Sequence, residues 1–104
     1  MARVIVRAEA EADVDAIAAF IAQDNLTAAL RFYDRVQETY DRLAVWPHIG
    51  SRRMARNPAL AGLRSYPIRG YRDYIVFYLT AGDTVEILHV IHGARDIPTL
   101  LDEG

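Results

Sequence analysis

The spacing of the apolar residues changes from helical to strand-like midway along this chain, and that change constrains the fold more than any other feature. From Asp13 onward, Val14, Ile17, Ala18 and Ile21 recur at spacings of three, one and three, which is one face of a helix. Gln23-Asp24-Asn25 interrupts the pattern. Ala29, Phe32, Tyr33, Val36, Tyr40, Leu43 and Ala44 then form the stripe of a second helix. Asp24 or Asn25 is placed to cap it. Trp46-Pro47 ends it, because the residue before a proline avoids the helical region. The other face alternates in sign through Arg31, Asp34, Arg35, Glu38, Asp41 and Arg42, as a solvated helix does. So short a break between two helices implies an antiparallel hairpin.

Strand signals flank this hairpin. Arg3 to Arg7 alternates around β-branched residues and reads as a first strand, with Ala8 to Ala12 as the turn into the first helix. His48 to Gly62 reads as a loop punctuated by proline and glycine. Leu63 to Ile68 follows as an edge strand, since Pro67 cannot donate to a ladder. Arg69-Gly70-Tyr71 turns the chain into a strand from Asp73 to Thr80, and Ala81-Gly82-Asp83 makes a hairpin turn. Thr84 to His92 is apolar on both faces, which predicts a central, covered strand. The expected fold is α+β in the order β-α-α-β-β-β: a helical hairpin packed on a small antiparallel sheet, as one domain over residues 1–104. Beyond Gly93, Leu100 and Leu101 are placed to dock and Asp102-Glu103-Gly104 to fray.

A chain of 104 residues has material for one core. It contains no cysteine, which excludes disulfides, thiolate metal sites and a cysteine nucleophile. No stretch matches a signal-peptide core, and the longest run without a charge, Tyr74 to Gly82, is too short to span a membrane, so the cytoplasm is expected. The formal net charge of -2 conceals three blocks. Residues 1–49 hold five arginines against eight acids, residues 50–72 six arginines and no acid, and residues 73–104 one arginine against six acids. A basic middle segment in an acidic chain attracts an acidic partner or a phosphate backbone, or else is a solvated loop. Every basic residue is arginine, so no lysine is available as a base or Schiff-base former.

Few residues carry chemistry. His89 and His92 are three apart, but strand residues at odd and even positions face opposite ways, so the pair cannot chelate one ion. Neither serine lies in a nucleophile elbow, and Gly62, Gly70 and Gly82 are spaced as turn residues and form no phosphate loop. No metal or cofactor is expected. From Arg64 to Tyr78 arginine and tyrosine interleave as Arg64, Tyr66, Arg69, Tyr71, Arg72, Tyr74 and Tyr78. Such a mixture suits RNA stacking, protein recognition, or a sheet face covered by tyrosines. Tyr74 and Tyr78 fit the last of these; Arg64, Tyr71 and Arg72 fit a surface role.

Several segments, in order, resemble the ParE branch of the RelE/ParE superfamily of bacterial toxins. They are Ala12 to Ile17, Ala28 to Phe32, Leu43-Ala44-Val45-Trp46-Pro47-His48-Ile49-Gly50, Gly62-Leu63-Arg64-Ser65-Tyr66-Pro67, Tyr74 to Tyr78, and Val85 to Asp96. The resemblance covers nearly the whole chain and implies the toxin of a type II toxin–antitoxin pair. A small antitoxin would wrap the helical hairpin, and any contact with operator DNA would run through it. The ParE branch poisons DNA gyrase; the RelE branch cleaves mRNA on the ribosome. The absence of lysine, and of a tyrosine after His92, departs from the RelE pattern. His89 stands where the ParE pattern commonly has arginine.

The expected activity is therefore that of a binding protein, with Arg64, Tyr71, Arg72 and Arg95 as candidate target contacts. Phe20, Phe32, Tyr33, Tyr40 and Trp46 are the candidate antitoxin contacts in a toxin–antitoxin hetero-oligomer. The alternative is a ribosome-dependent endoribonuclease. It would use His92 as base, His89 or Tyr78 as proton donor, and Arg64 and Arg95 to stabilise the phosphorane.

Overall fold

A computed structural model describes residues 1–93. Strand β1 (Arg3–Val6) leads into helix α1 (Ala8–Ala22) and helix α2 (Leu26–Val45). A two-residue strand β2 (Ser51–Arg52) and a single 3-10 turn (Pro58–Leu60) follow, then β3 (Arg64–Ile68), β4 (Tyr71–Ala81) and β5 (Thr84–His92). Arg95 and the tail residues Leu100 to Gly104 lie outside the described residues.

The expected order holds, but β3 is flanked on both sides and is not an edge strand, β4 begins at Tyr71 inside the expected turn, and three further differences follow. Ala8–Ala12 is the first part of α1 and not a turn. The run Ala-Glu-Ala-Glu-Ala favours helix intrinsically, and Glu9 and Glu11 complement the dipole at its start. The residue at the N-cap is Arg7, which makes no side-chain cap, so the usual start signal is missing. The loop after α2 contains the short strand β2. And the sheet is mixed: its order is β1-β5-β4-β3-β2, with β1 parallel to β5 and all other pairs antiparallel. The helical hairpin carries the chain from β1 across to β2 at the opposite edge, and the antiparallel run β2 to β5 then returns to β1, where the last strand lies parallel to the first.

Asn25 caps α2 by accepting the Ala28 N–H at 3.0 Å. The helix buries Ala29, Phe32, Val36, Tyr40, Leu43 and Ala44 and stops at Trp46. With Ala10, Val14 and Ala18 of α1, its apolar stripe meets Ile68, Val76, Tyr78, Val85, Ile87 and Val90 of the sheet. The opposite sheet face is also covered: Leu63, Phe77 and Leu88 pack with Ala55 and Leu60 of the segment before β3. That cover explains why β5 is apolar on both faces. Along β5, Phe77 faces His89 and Tyr78 faces Ile87, so Leu88 is the extra residue of a bulge.

Candidate functional surfaces

The segment after α2 is held by three side chains. Tyr78, fully buried, donates its hydroxyl to the Pro47 carbonyl (2.8 Å) and accepts the Gly50 N–H (2.9 Å). Arg64 donates to the carbonyls of His48 (3.2 Å) and Gly50 (2.9 Å). Arg53 donates to the Ser65 hydroxyl at 2.7 Å. A Cβ on Gly50 would lie 2.5 Å from the Tyr78 oxygen and 2.8 Å from the Ser65 carbonyl, so only glycine fits there. The Pro-x-x-Gly and Gly-Leu-Arg-Ser-Tyr signatures thus meet at one place, where they fix the exit of α2 against β3 and β4.

The candidate target contacts differ in their surroundings. Arg64 donates one guanidinium nitrogen to two backbone carbonyls and is part-exposed. Tyr71 is half-buried, edge-on to Phe32, and donates to the Ala28 carbonyl at 2.8 Å. Arg72 is exposed and enters no ion pair among the described residues. Arg95 lies outside them.

The nuclease constellation does not come together among the described residues. Burial pushes the Tyr78 phenol above its ordinary range, against the pull of the Gly50 N–H and Arg64, and both hydrogen-bonding positions of its oxygen are used. His89 pairs through Nδ1 with Asp13 of α1 at 2.9 Å, and Asp13 also accepts the Val90 N–H at 3.1 Å. His92 lies edge-on to Tyr74 at 5.5 Å between ring centres. Regular pairing from Tyr74↔His92 to Phe77↔His89 sets the two histidines on opposite faces, as strand alternation requires. Among the described residues no group of three or more histidines and acids is placed to hold a metal ion.

The aromatic candidates on the hairpin divide by exposure. Phe32 (0%) and Tyr40 (6%) belong to the core and offer no contact surface. Phe20, Tyr33 and Trp46 are exposed, and with them Leu26 and Leu30, which sequence reading passed over. Leu26, Leu30 and Tyr33 follow one another at spacings of four and three along α2, so they share a face. Their exposures run from 42% (Tyr33) to 65% (Leu26). The available signal was two leucines off the buried stripe of an otherwise charged helix. Tyr33 also bridges the two helices by donating to Asp15 at 2.7 Å, and that bond raises its pKa. Val45, Trp46 and Ile49 make a second exposed apolar group at the end of α2, around a shallow depression of about 560 Å³. No helix among the described residues is long and apolar enough to cross a membrane.

Comparison with known proteins agrees with this fold. No curated protein matches the chain in sequence. Among solved structures it is similar to a chain of the chromosomal ParDE TA system from P. aeruginosa, with a TM-score of 0.69 and 20% identity over 88% of this chain and 96% of that one. The model of the family described as the ParE toxin of type II toxin-antitoxin system, parDE, matches residues 4–97. That match takes in both helices, four strands and all but the first residue of β1, and the Pro47–Gly50 lock, and the chain belongs to the ParE toxin family.

Proposed function

We propose that this ParE-family toxin acts in the cytoplasm by inhibiting DNA gyrase, and that a cognate antitoxin neutralises it by covering the exposed apolar face of the helical hairpin. The observation that carries the antitoxin reading is the exposed stripe Leu26, Leu30 and Tyr33 on α2, with Phe20 exposed on α1. Large apolar side chains at spacings of four and three are what an amphipathic partner segment covers. Family membership supports gyrase as the target. The occupied hydroxyl of Tyr78 and the separation of the two histidines weigh against phosphodiester cleavage by these groups.

The test pairs a binding measurement with an activity measurement. The antitoxin is sought in a short reading frame beside the gene. A Leu26→Asp/Leu30→Asp variant changes only exposed positions, so it keeps the helical circular dichroism and the melting temperature of the parent. It loses co-purification with the antitoxin. Undiminished co-purification would remove the hairpin face from the interface. Purified toxin added to purified gyrase should block supercoiling. Growth arrest without any effect on supercoiling, or mRNA cleavage on translating ribosomes that depends on His92, would overturn the target assignment.

A further inference from the structure

Two arginines of the +6 block, Arg69 and Arg72, meet Arg42 at a groove that the proposed antitoxin face does not include. Arg42 of α2, Arg69 after β3 and Arg72 of β4 stand around a depression of about 310 Å³. Its floor includes Tyr66, Pro67 and the fully buried Ile68. All three arginines are exposed, and none is in an ion pair among the described residues. Glu38 is the one acid on the lining, and Arg35 already holds it at 2.8 Å. Three guanidinium groups with no acidic partner above an apolar floor form a distinct local environment. Like charges around one depression repel, and an apolar floor offers them no compensation.

We propose that this groove binds a short acidic segment of a partner protein, with carboxylates on Arg42, Arg69 and Arg72 and an apolar side chain on the part-exposed Tyr66 and Pro67. Guanidinium forks pair with carboxylates through two parallel hydrogen bonds, and partial burial strengthens them. The surroundings select a peptide over a nucleic acid. A phosphodiester strand needs a continuous basic track. Here the neighbouring surface of α2 carries Asp34 and Asp41, which interrupt the positive potential within one or two turns. The bound segment does not add a strand alongside Pro67, because that residue has no N–H to offer. Recognition therefore rests on side chains, separate from the apolar hairpin face, and it holds whether or not gyrase is the target.

The experiment uses the purified full chain and fluorescein-labelled peptides read by polarisation. A peptide alternating Asp and Leu should bind saturably, and more tightly than one alternating Asp and Gly, because only leucine can use the floor. Arg69→Ala and Arg72→Ala should each weaken binding about tenfold, the loss expected for one charge-assisted pair. Arg31→Ala, an exposed arginine outside the groove, should leave binding unchanged. Arg69→Glu/Arg72→Glu should lose the Asp–Leu peptide and gain one alternating Arg and Leu. Absence of binding, equal loss in Arg31→Ala, or tighter binding of a single-stranded oligonucleotide of equal charge would each overturn the proposal.

Discussion

Tyr40 and Tyr78 belong to one core, yet their hydroxyl groups meet opposite circumstances. The Tyr78 hydroxyl is hydrogen-bonded on both sides, whereas the Tyr40 hydroxyl is buried with no hydrogen-bond partner among the described residues. Deleting the two oxygens should therefore have different effects. Tyr78→Phe leaves the Gly50 N–H and the Pro47 carbonyl unpaired, at a cost of about 1–3 kcal/mol. Tyr40→Phe removes a group that was dehydrated without compensation, so it should be neutral or stabilising by up to about 1 kcal/mol. Urea unfolding of the two variants beside the parent checks both signs, and a large loss in Tyr40→Phe would mean that its oxygen is satisfied after all. A pH effect follows. Burial, with smaller contributions from Asp13 and Glu11, pushes the Tyr40 phenol from 10.0 up to about 12. The unfolded chain then releases this proton before the folded one does. The contribution is intact below about pH 10 and is lost as pH rises towards 12, at about 1.4 kcal/mol per unit. Tyr78, also raised, adds to the slope in the same direction. Stability against pH in this range should fall less steeply in Tyr40→Phe than in the parent.

Among the elements, β5 raises a pairing problem that α1 solves. Strand β1 accompanies β5 only as far as Val6↔Ile87, and the Leu88 bulge then shifts which backbone groups face that side. The Val90 N–H, on a residue only 1% exposed, is taken up by the Asp13 carboxylate, which also pairs with His89. One acidic side chain from the helix thus replaces the missing strand. Asp13→Ala should cost about 1–3 kcal/mol by orphaning that amide, and Asp13→Asn, which keeps an acceptor oxygen, should recover a good part of it. Equal melting temperatures for the Ala and Asn variants would show that the acceptor is irrelevant. None of this was legible in the sequence, where Asp13 reads simply as an acid near a helix start. The elements themselves were legible: the α2 stripe, the break at Gln23–Asn25, the stop at Trp46 and the bounds of β5 all follow from spacing and turn residues. The start of α1 was not, because Arg7 carries no cap. The occupied state of Arg64 and the partners of the Tyr78 hydroxyl were hidden for another reason. Both depend on a loop, Pro47–Gly50, folding back over strands that come later in the chain.

For the whole molecule, the least legible fact was which strands are neighbours. Periodicity identifies a strand but says nothing of its partner, and β1 is joined to β5 across about eighty positions, Arg3 to Thr84. The result is a graded architecture. β5 has a strand on each side, and Val85, Ile87, Leu88 and Val90 are buried, so its amides should exchange with solvent only when the whole molecule unfolds. β2 lies at the far edge, two residues long and exposed at both, and should open locally. Between these limits stands Gly50, next to β2 in sequence but tied by its N–H to the buried hydroxyl of Tyr78. Hydrogen exchange should find the Gly50 amide protected well above that of Arg52, its near neighbour in the chain. In Tyr78→Phe that protection should collapse while Val85 and Ile87 keep theirs relative to the new global stability. Protection of Gly50 that survived the substitution would mean that the loop is fixed by Arg64 and the β2 pairing alone. Its loss would place the family's glycine and this tyrosine in one cooperative unit, which holds the end of α2 rigid behind both the apolar hairpin face and the arginine groove.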